Sequence, residues 1–297
     1  MRGTSVRFLW LFEIVNFFLH HDWFWWLLGR CNASGWVKSI FMSYPANDAY
    51  AKEYVYAFRI GSWRLRLTGF LWQNSKLIIM FTLFVEEAEL LKRVNKEKLE
   101  TTVNRMEKIR MLLRADSKTF AGVLPGVLVK RGLVKDAPEA DITASIVIKA
   151  IELVNKEMGM QAHASIVVLG GKGFIGKRVV DRLSALDKAE ICVIDLGERH
   201  KWPRDYMRKV IVNLARHDTI QSYYDLLRAG DIVINEAYPA PTSENVSIIR
   251  SLQCDCFHIV GVKAGAFPRF THAYQGGIPC CAAWDAPEKE VIVKKMI

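Results

Sequence analysis

Residues 168–176 read VLGGKGFIG, and the fold of the C-terminal half turns on how this stretch is read. Gly171, Gly173 and Gly176 satisfy G-x-G-x-x-G, whereas Gly170, Gly173 and Gly176 satisfy G-x-x-G-x-x-G. Either spacing alone describes no more than a glycine-rich turn. Just before it, residues 165–169 (SIVVL) form the short β-branched run expected of a buried parallel strand. Just after it, Val179, Val180, Leu183 and Leu186 recur at helical spacing. Between a strand and a helix, such glycines let the chain turn sharply, approach a pyrophosphate and pack the helix closely. The amides at the helix N-terminus then bind phosphate. The cofactor-binding candidates are therefore Gly170, Gly171, Lys172, Gly173, Phe174, Ile175 and Gly176, with Lys172 either adding charge or turning to solvent.

Working outward, residues 190–195 (EICVID) read as a second strand that ends on Asp195, 19 residues beyond Gly176. An acid about 20 residues on is the expected partner of an adenosine ribose. Residues 209–213 (KVIVN), 231–235 (DIVIN) and 257–260 (FHIV) read as further strands, separated by helices at 219–228 and 243–252. Strands alternating with helices imply an α/β fold with a doubly wound parallel sheet. Ligands of such sheets sit outside the carboxyl ends of the strands. That rule adds Asn235 and Glu236 as cofactor-binding candidates. It also makes Lys263 the catalytic candidate, as proton donor or carbonyl polariser, against the plainer reading of an exposed loop lysine. Asp195 would repel a ribose 2′-phosphate and so favours NAD. Arg199, His200 and Lys201 follow closely and would suit NADP.

With these motifs in view, residues 165–265 resemble the Rossmann domain of NAD(P)-dependent dehydrogenases. A smaller domain, a tethering helix (141–158) and then the nucleotide domain make a layout that resembles the shikimate dehydrogenase, methylene-tetrahydrofolate dehydrogenase and glutamyl-tRNA reductase group. The resemblance implies a hydride-transferring oxidoreductase with a small-molecule substrate bound between its domains. The GFIG string is also similar to short-chain dehydrogenases and epimerases, which use a Tyr-x-x-x-Lys pair. Tyr206, Tyr223, Tyr224, Tyr238 and Tyr274 all lack a lysine four residues on.

The first half offers composition rather than motif. Residues 42–160 read as a smaller, mainly helical domain, with a long amphipathic helix between Val85 and Leu113 and linker-like turns at 117–126. Residues 1–41 stand apart and hold five of the nine tryptophans. Within residues 8–28, Glu13, Asn16, His20, His21 and Asp22 interrupt the apolar run, which argues against a spanning helix and a signal peptide. On a helix, Glu13, Asn16 and His20 make one polar stripe. Three arrangements fit: a helix lying in a membrane interface, a helix packed on the protein or a partner subunit, or a poorly ordered extension. The rest of the chain, 161–297, is the expected nucleotide domain.

The net charge is +10, but the Lys and Arg residues are dispersed and no binding module accompanies them, so no nucleic-acid partner is expected. None of the six cysteines forms a C-x-x-C pair, so neither a metal site nor a disulfide framework is expected, and the thiols suit a reduced, cytoplasmic setting. The sequence thus points to an NAD(P)-dependent oxidoreductase, with homo-oligomerisation and peripheral membrane association as open expectations. The alternative is a non-catalytic dinucleotide-binding protein held to a membrane or partner through residues 8–28.

Overall fold

The structure, a computed structural model, describes residues 5–18, 20–45, 61–159, 165–186, 190–204, 207–216, 218–269, 274, 276–285 and 290–296. The chain divides into two compact units of nearly equal size. One comprises Met1–Glu139 with Ala264–Thr271 and Cys281–Trp284, and the other Ala140–Lys263 with His272–Cys280 and Asp285–Ile297.

The first unit holds a five-stranded sheet beside its helices, which the expectation of a mainly helical domain left out. After α1 (Ser5–Phe18) and α2 (Asp22–Cys31) come β1 (Val37–Ser43), β2 (Ser62–Gln73), β3 (Lys76–Phe84), α3 (Glu87–Leu91), α4 (Lys96–Leu113), β4 (Ser117–Phe120) and α5 (Leu124–Lys130). A strand from later in the chain, Gly265–Phe267, pairs antiparallel with β2. The physical reason for the misreading lies in β3, whose residues 77–81 (LIIMF) form an unbroken apolar run, the strand being buried on both faces from Ile78 on. An unbroken apolar run does not separate strand from helix by periodicity. β1 pairs parallel with β3 and with β4, and β2 pairs antiparallel with β3. The β2–β3 turn is made by Asn74 and Ser75, both at positive φ (49° and 60°), the two-residue turn whose twist suits a hairpin.

The single helix expected over 85–113 is interrupted. Between α3 and α4 the chain turns through a 3₁₀ segment, Arg93–Asn95. Buried Asn95 donates through its side-chain amide to the Glu89 carbonyl oxygen (3.0 Å), an alternative to continued helical bonding.

The N-terminal helices are part of this unit. Asn16 is buried and grips the backbone of β2 at both groups of Leu67, donating to its carbonyl (2.9 Å) and accepting from its amide (2.8 Å). Glu13 pairs with Arg66 of the same strand at 2.9 Å. Trp25 is buried against Phe81, with ring centroids 5.6 Å apart. A Cβ at Gly29 would lie 1.9 Å from the Leu112 carbonyl oxygen, so glycine is what lets α2 lie against α4. Among the described residues no helix is long and apolar enough to cross a membrane.

The second unit holds the doubly wound sheet. Helix α6 (Glu139–Glu157) leads to β5 (Ser165–Leu169), α7 (Phe174–Leu186), β6 (Ile191–Ile194), β7 (Lys209–Asn213), β8 (Ile232–Asn235), α8 (Ser243–Ser251) and β9 (Asp255–Lys263). Counting Gly265–Phe267 of the first unit as β10, the last strands are β11 (Gly277–Ile278) and β12 (Val291–Lys295). The sheet runs β11-β9-β8-β7-β5-β6, parallel from β9 to β6, and β12 adds an antiparallel partner to β9. The parallel part is the expected α/β architecture. Its five strands follow the order second, first, third, fourth, fifth, one of the two common doubly wound orders.

β5, β7 and β8 are buried along their whole length, as strands covered on both faces must be. The helix expected at 219–228 is instead a 3₁₀ stretch, Thr219–Leu226. Its buried Ile220 and Tyr223 are three residues apart, the spacing that keeps one face of a 3₁₀ turn inward.

Candidate functional site

Leu169, Ile194, Asn213 and Asn235 are the last residues of β5, β6, β7 and β8, so these strands end along one edge. From β5 the chain passes outward to β6 and then returns to β7 on the other side of β5. A crevice outside the strand ends is expected at such a reversal.

The glycines at this edge each meet a different steric demand. Gly170 has φ +80°, and a Cβ there would sit 2.9 Å from the Ala215 amide nitrogen. At Gly176, in the first turn of α7, a Cβ would fall 2.1 Å from the Gly170 carbonyl oxygen. At Gly171 it would meet a Val193 methyl at 2.6 Å. Gly173 differs: beyond its chain neighbours, the Gly170 oxygen at 3.0 Å is all that lies within 4 Å of its Cβ position among the described residues. Gly170 thus makes the turn, Gly171 and Gly176 allow close packing, and Gly173 leaves an open side. Both glycine spacings are therefore in use. The first-turn amides of α7, at Phe174, Ile175 and Gly176, precede any intrahelical acceptor and carry the positive end of the helix dipole.

Asp195 follows β6 directly, and its carboxylate accepts from the Lys172 amide (3.1 Å) and the Leu196 amide (2.8 Å). The loop and the acid are thereby joined. Glu198 accepts from the Asp195 amide at 3.2 Å and pairs with Lys172 and, at 2.6 Å, with Lys201. Hydrogen bonds from Lys172 and then Lys201 hold its carboxyl down to about 2. Lys172 thus turns to Glu198. Arg199 pairs with Asp225, and the two line a cleft of about 410 Å³ with His200, Trp202, Arg204, Leu226 and Arg228.

A buried polar ladder crosses the sheet at the level where β7 and β8 end. Asn213, Asn235 and His258 are register neighbours on β7, β8 and β9. The Asn213 amide donates to Asn235 Oδ1 (2.8 Å), and Asn235 Nδ2 donates to the Ala237 carbonyl (2.6 Å) and lies 3.1 Å from His258 Nδ1. Asn235 is thereby committed to the protein interior, where it positions the loop that follows rather than reaching outward. Burial holds His258 down at about 4, and its Nε2 finds no hydrogen-bond partner among the described residues. Sequence reasoning missed Asn213 and His258. The signal was present: VIVN and IVIN both end on asparagine, two parallel strands finishing on the same polar group.

Glu236 is the next residue, its amide donating to the Asn213 carbonyl at 3.0 Å. Its half-buried carboxyl has no hydrogen bond or ion pair to any described residue, and burial alone pushes it up to about 7. An acid whose ionisation falls near neutrality, standing at the carboxyl edge of a parallel sheet, has the character of a proton-transfer group.

Lys263 is placed elsewhere. β9 does not end near His258 but runs five residues further, to Lys263, about 16 Å along the strand at about 3.3 Å per residue. Antiparallel pairing with β11 and β12 supports this extension, and the Lys263 side chain is exposed. The structure does not bring it to the edge that holds the glycine loop, Asp195 and Glu236.

No family model matches the chain, and no curated relative matches its sequence. Solved structures give distant similarities. The chain is similar to a glutamate dehydrogenase from Peptoniphilus asaccharolyticus, with a TM-score of 0.40 and 13% identity, over 75% of this chain and 65% of that one. It thus spans a little under two thirds of the length of that enzyme. It is also similar to a quinate dehydrogenase from Corynebacterium glutamicum solved with NAD (TM-score 0.38, 11% identity, 74% of this chain and 87% of that). A third is a bifunctional methylenetetrahydrofolate dehydrogenase/cyclohydrolase from Campylobacter jejuni (TM-score 0.32, 11% identity, 72% and 76%). None of the three assigns an activity to this chain.

Proposed function

We propose that this chain is an oxidoreductase that binds a nicotinamide dinucleotide on the loop of residues 170–176 and acts on a small substrate. The observation that carries this reading is the glycine loop itself, sterically closed to side chains at Gly170, Gly171 and Gly176, and at Gly173 crowded from one side alone, by the Gly170 carbonyl oxygen at 3.0 Å, among the described residues. The open side and the first-turn amides of α7 would hold the pyrophosphate. Asp195, joined to the loop through the Lys172 amide, would accept from an adenosine ribose hydroxyl.

NAD is favoured over NADP. The negative Asp195 opposes a 2′-phosphate, while Arg199 and Lys201, the cations nearest in sequence, already serve Asp225 and Glu198. Oxidation of an alcohol or amine carbon releases two electrons with one proton, which a bound nicotinamide takes as hydride, and a second proton. Glu236 takes that second proton, and the reverse reaction draws it back. Burial suits the group to both directions, because it leaves the acid and base forms comparably populated near pH 7. The Asn213–Asn235–His258 ladder holds the base of its loop.

Calorimetric titration of the full chain with NADH and with NADPH tests the reading. Saturable binding is expected, tighter for NADH. Absence of binding by both would remove the proposal.

A further inference from the structure

An amphipathic helix on a globular protein normally turns its apolar face inward. Helix α1 departs from this over its described side chains: Phe12 and Val15 pack inward, but two polar residues share that inner face and three apolar ones lie outside. Glu13 and Asn16 point into the unit, where they engage Arg66 and the Leu67 backbone, and Phe12 is buried beside them. Ile14, Phe17 and Phe18 are left outside, Phe17 with 71% of its surface exposed. On α2, Trp25 and Gly29 fix the inner face, and Trp23, Trp26 and Leu27 are each about half exposed. Each of the two helices thus carries exposed aromatic and aliphatic side chains.

Three cations lie on or beside α2. Arg30 lies over the Trp26 ring at 4.5 Å. Arg105 and Lys108 converge on Asp22 at the start of α2. At the turn between the helices, burial and then Arg66, Arg64 and Arg105 hold His20 below its ordinary value, which places it in a positive field. The whole chain carries a net +10. Exposed Trp and Phe side chains with Lys and Arg at their margin match a bilayer interface, where rings settle at headgroup level and cations meet anionic lipid.

We infer that the α1–α2 face docks this protein on the surface of an anionic lipid bilayer, lying in the interface without crossing it. The polar anchors Glu13 and Asn16 keep the helices bound to the sheet while their apolar side enters the lipid. This inference stands apart from the dinucleotide reading and does not depend on it.

The test is cosedimentation of the full chain with vesicles of phosphatidylcholine mixed with phosphatidylserine, against vesicles of phosphatidylcholine alone. Wild type is expected to pellet with the anionic vesicles and to partition less when salt is raised. The triple variant Phe17→Ser, Trp23→Ser, Trp26→Ser is expected to lose about tenfold or more in partitioning. Its urea midpoint should stay close to wild type, since exposed substitutions change stability little. Failure of wild type to bind, or undiminished binding by the variant, would overturn the inference. So would a concentration-dependent oligomer abolished by the same substitutions in a protein that ignores vesicles.

Discussion

Replacing Glu236 by glutamine is expected to make the protein more stable at pH 8 while leaving its stability at pH 4 nearly unchanged. The carboxyl ionises at about 7 in the folded chain, against an ordinary 4.5 once unfolded, because burial disfavours its charged form. Below 4.5 both states are protonated and the site costs nothing. Between 4.5 and 7 the unfolded chain ionises and the folded chain does not, so stability falls as pH rises, and above 7 the full penalty stands. At 1.36 kcal/mol per pH unit the difference amounts to about 3 kcal/mol, the gain expected of the neutral glutamine at pH 8. Urea denaturation of wild type and Glu236→Gln at the two pH values measures it. The same substitution should lower turnover by roughly 10²–10⁴-fold, the usual contribution of a general acid or base. Within this site the neighbouring shifts leave the pH range clear. Glu198 is held at about 2 and His258 at about 4, so neither changes charge near neutrality. Equal stabilities across pH would show that Glu236 is solvated and not a base of this kind.

Gly176→Ala is expected to cost roughly 3 kcal/mol or more and to abolish dinucleotide binding. The added methyl would stand 2.1 Å from the Gly170 carbonyl oxygen and 2.7 Å from Gly171 Cα, and both obstacles are backbone. Relief requires α7 to shift off the loop, a severe form of overpacking. The control is Gly197→Ala, in the turn after Asp195. Gly197 has φ +80° but, beyond its chain neighbours, no atom of the described residues within 4 Å of its Cβ position, so only the strain of a left-handed residue is at stake, about 1–2 kcal/mol. A Gly176→Ala protein that melts like wild type and still binds nucleotide would contradict the packing described here.

The second unit was legible from sequence because its signals are local. A glycine turn flanked by β-branched and helical runs marks a strand–turn–helix from neighbouring residues alone, and Asp195 stands at a fixed distance from it. The first unit was not legible in this way. Its sheet depends on partners far apart in the chain, β1 with β3 and β4, and β2 with Gly265–Phe267. The one local clue was Asn74-Ser75, whose positive φ values close the β2–β3 hairpin. The end of β9 was misread, because it is set by antiparallel pairing with β11 and β12, which no property of residues 257–263 announces. Glu236 was legible as a residue of the site but not in its chemistry. That chemistry follows from burial without a partner, and a sequence does not show which carboxyl lacks one. The polar stripe on residues 8–28 was legible too, but only the structure shows that Glu13 and Asn16 engage β2 while His20 stays exposed.

Hydrogen exchange of the full chain with and without NADH tests the central claim most directly. The expected result is protection on binding concentrated at the amides of residues 172–176 and 195–198, with the same residues unprotected in Gly176→Ala. No change on adding NADH, or protection confined to residues outside 140–263, would contradict dinucleotide binding at the glycine loop.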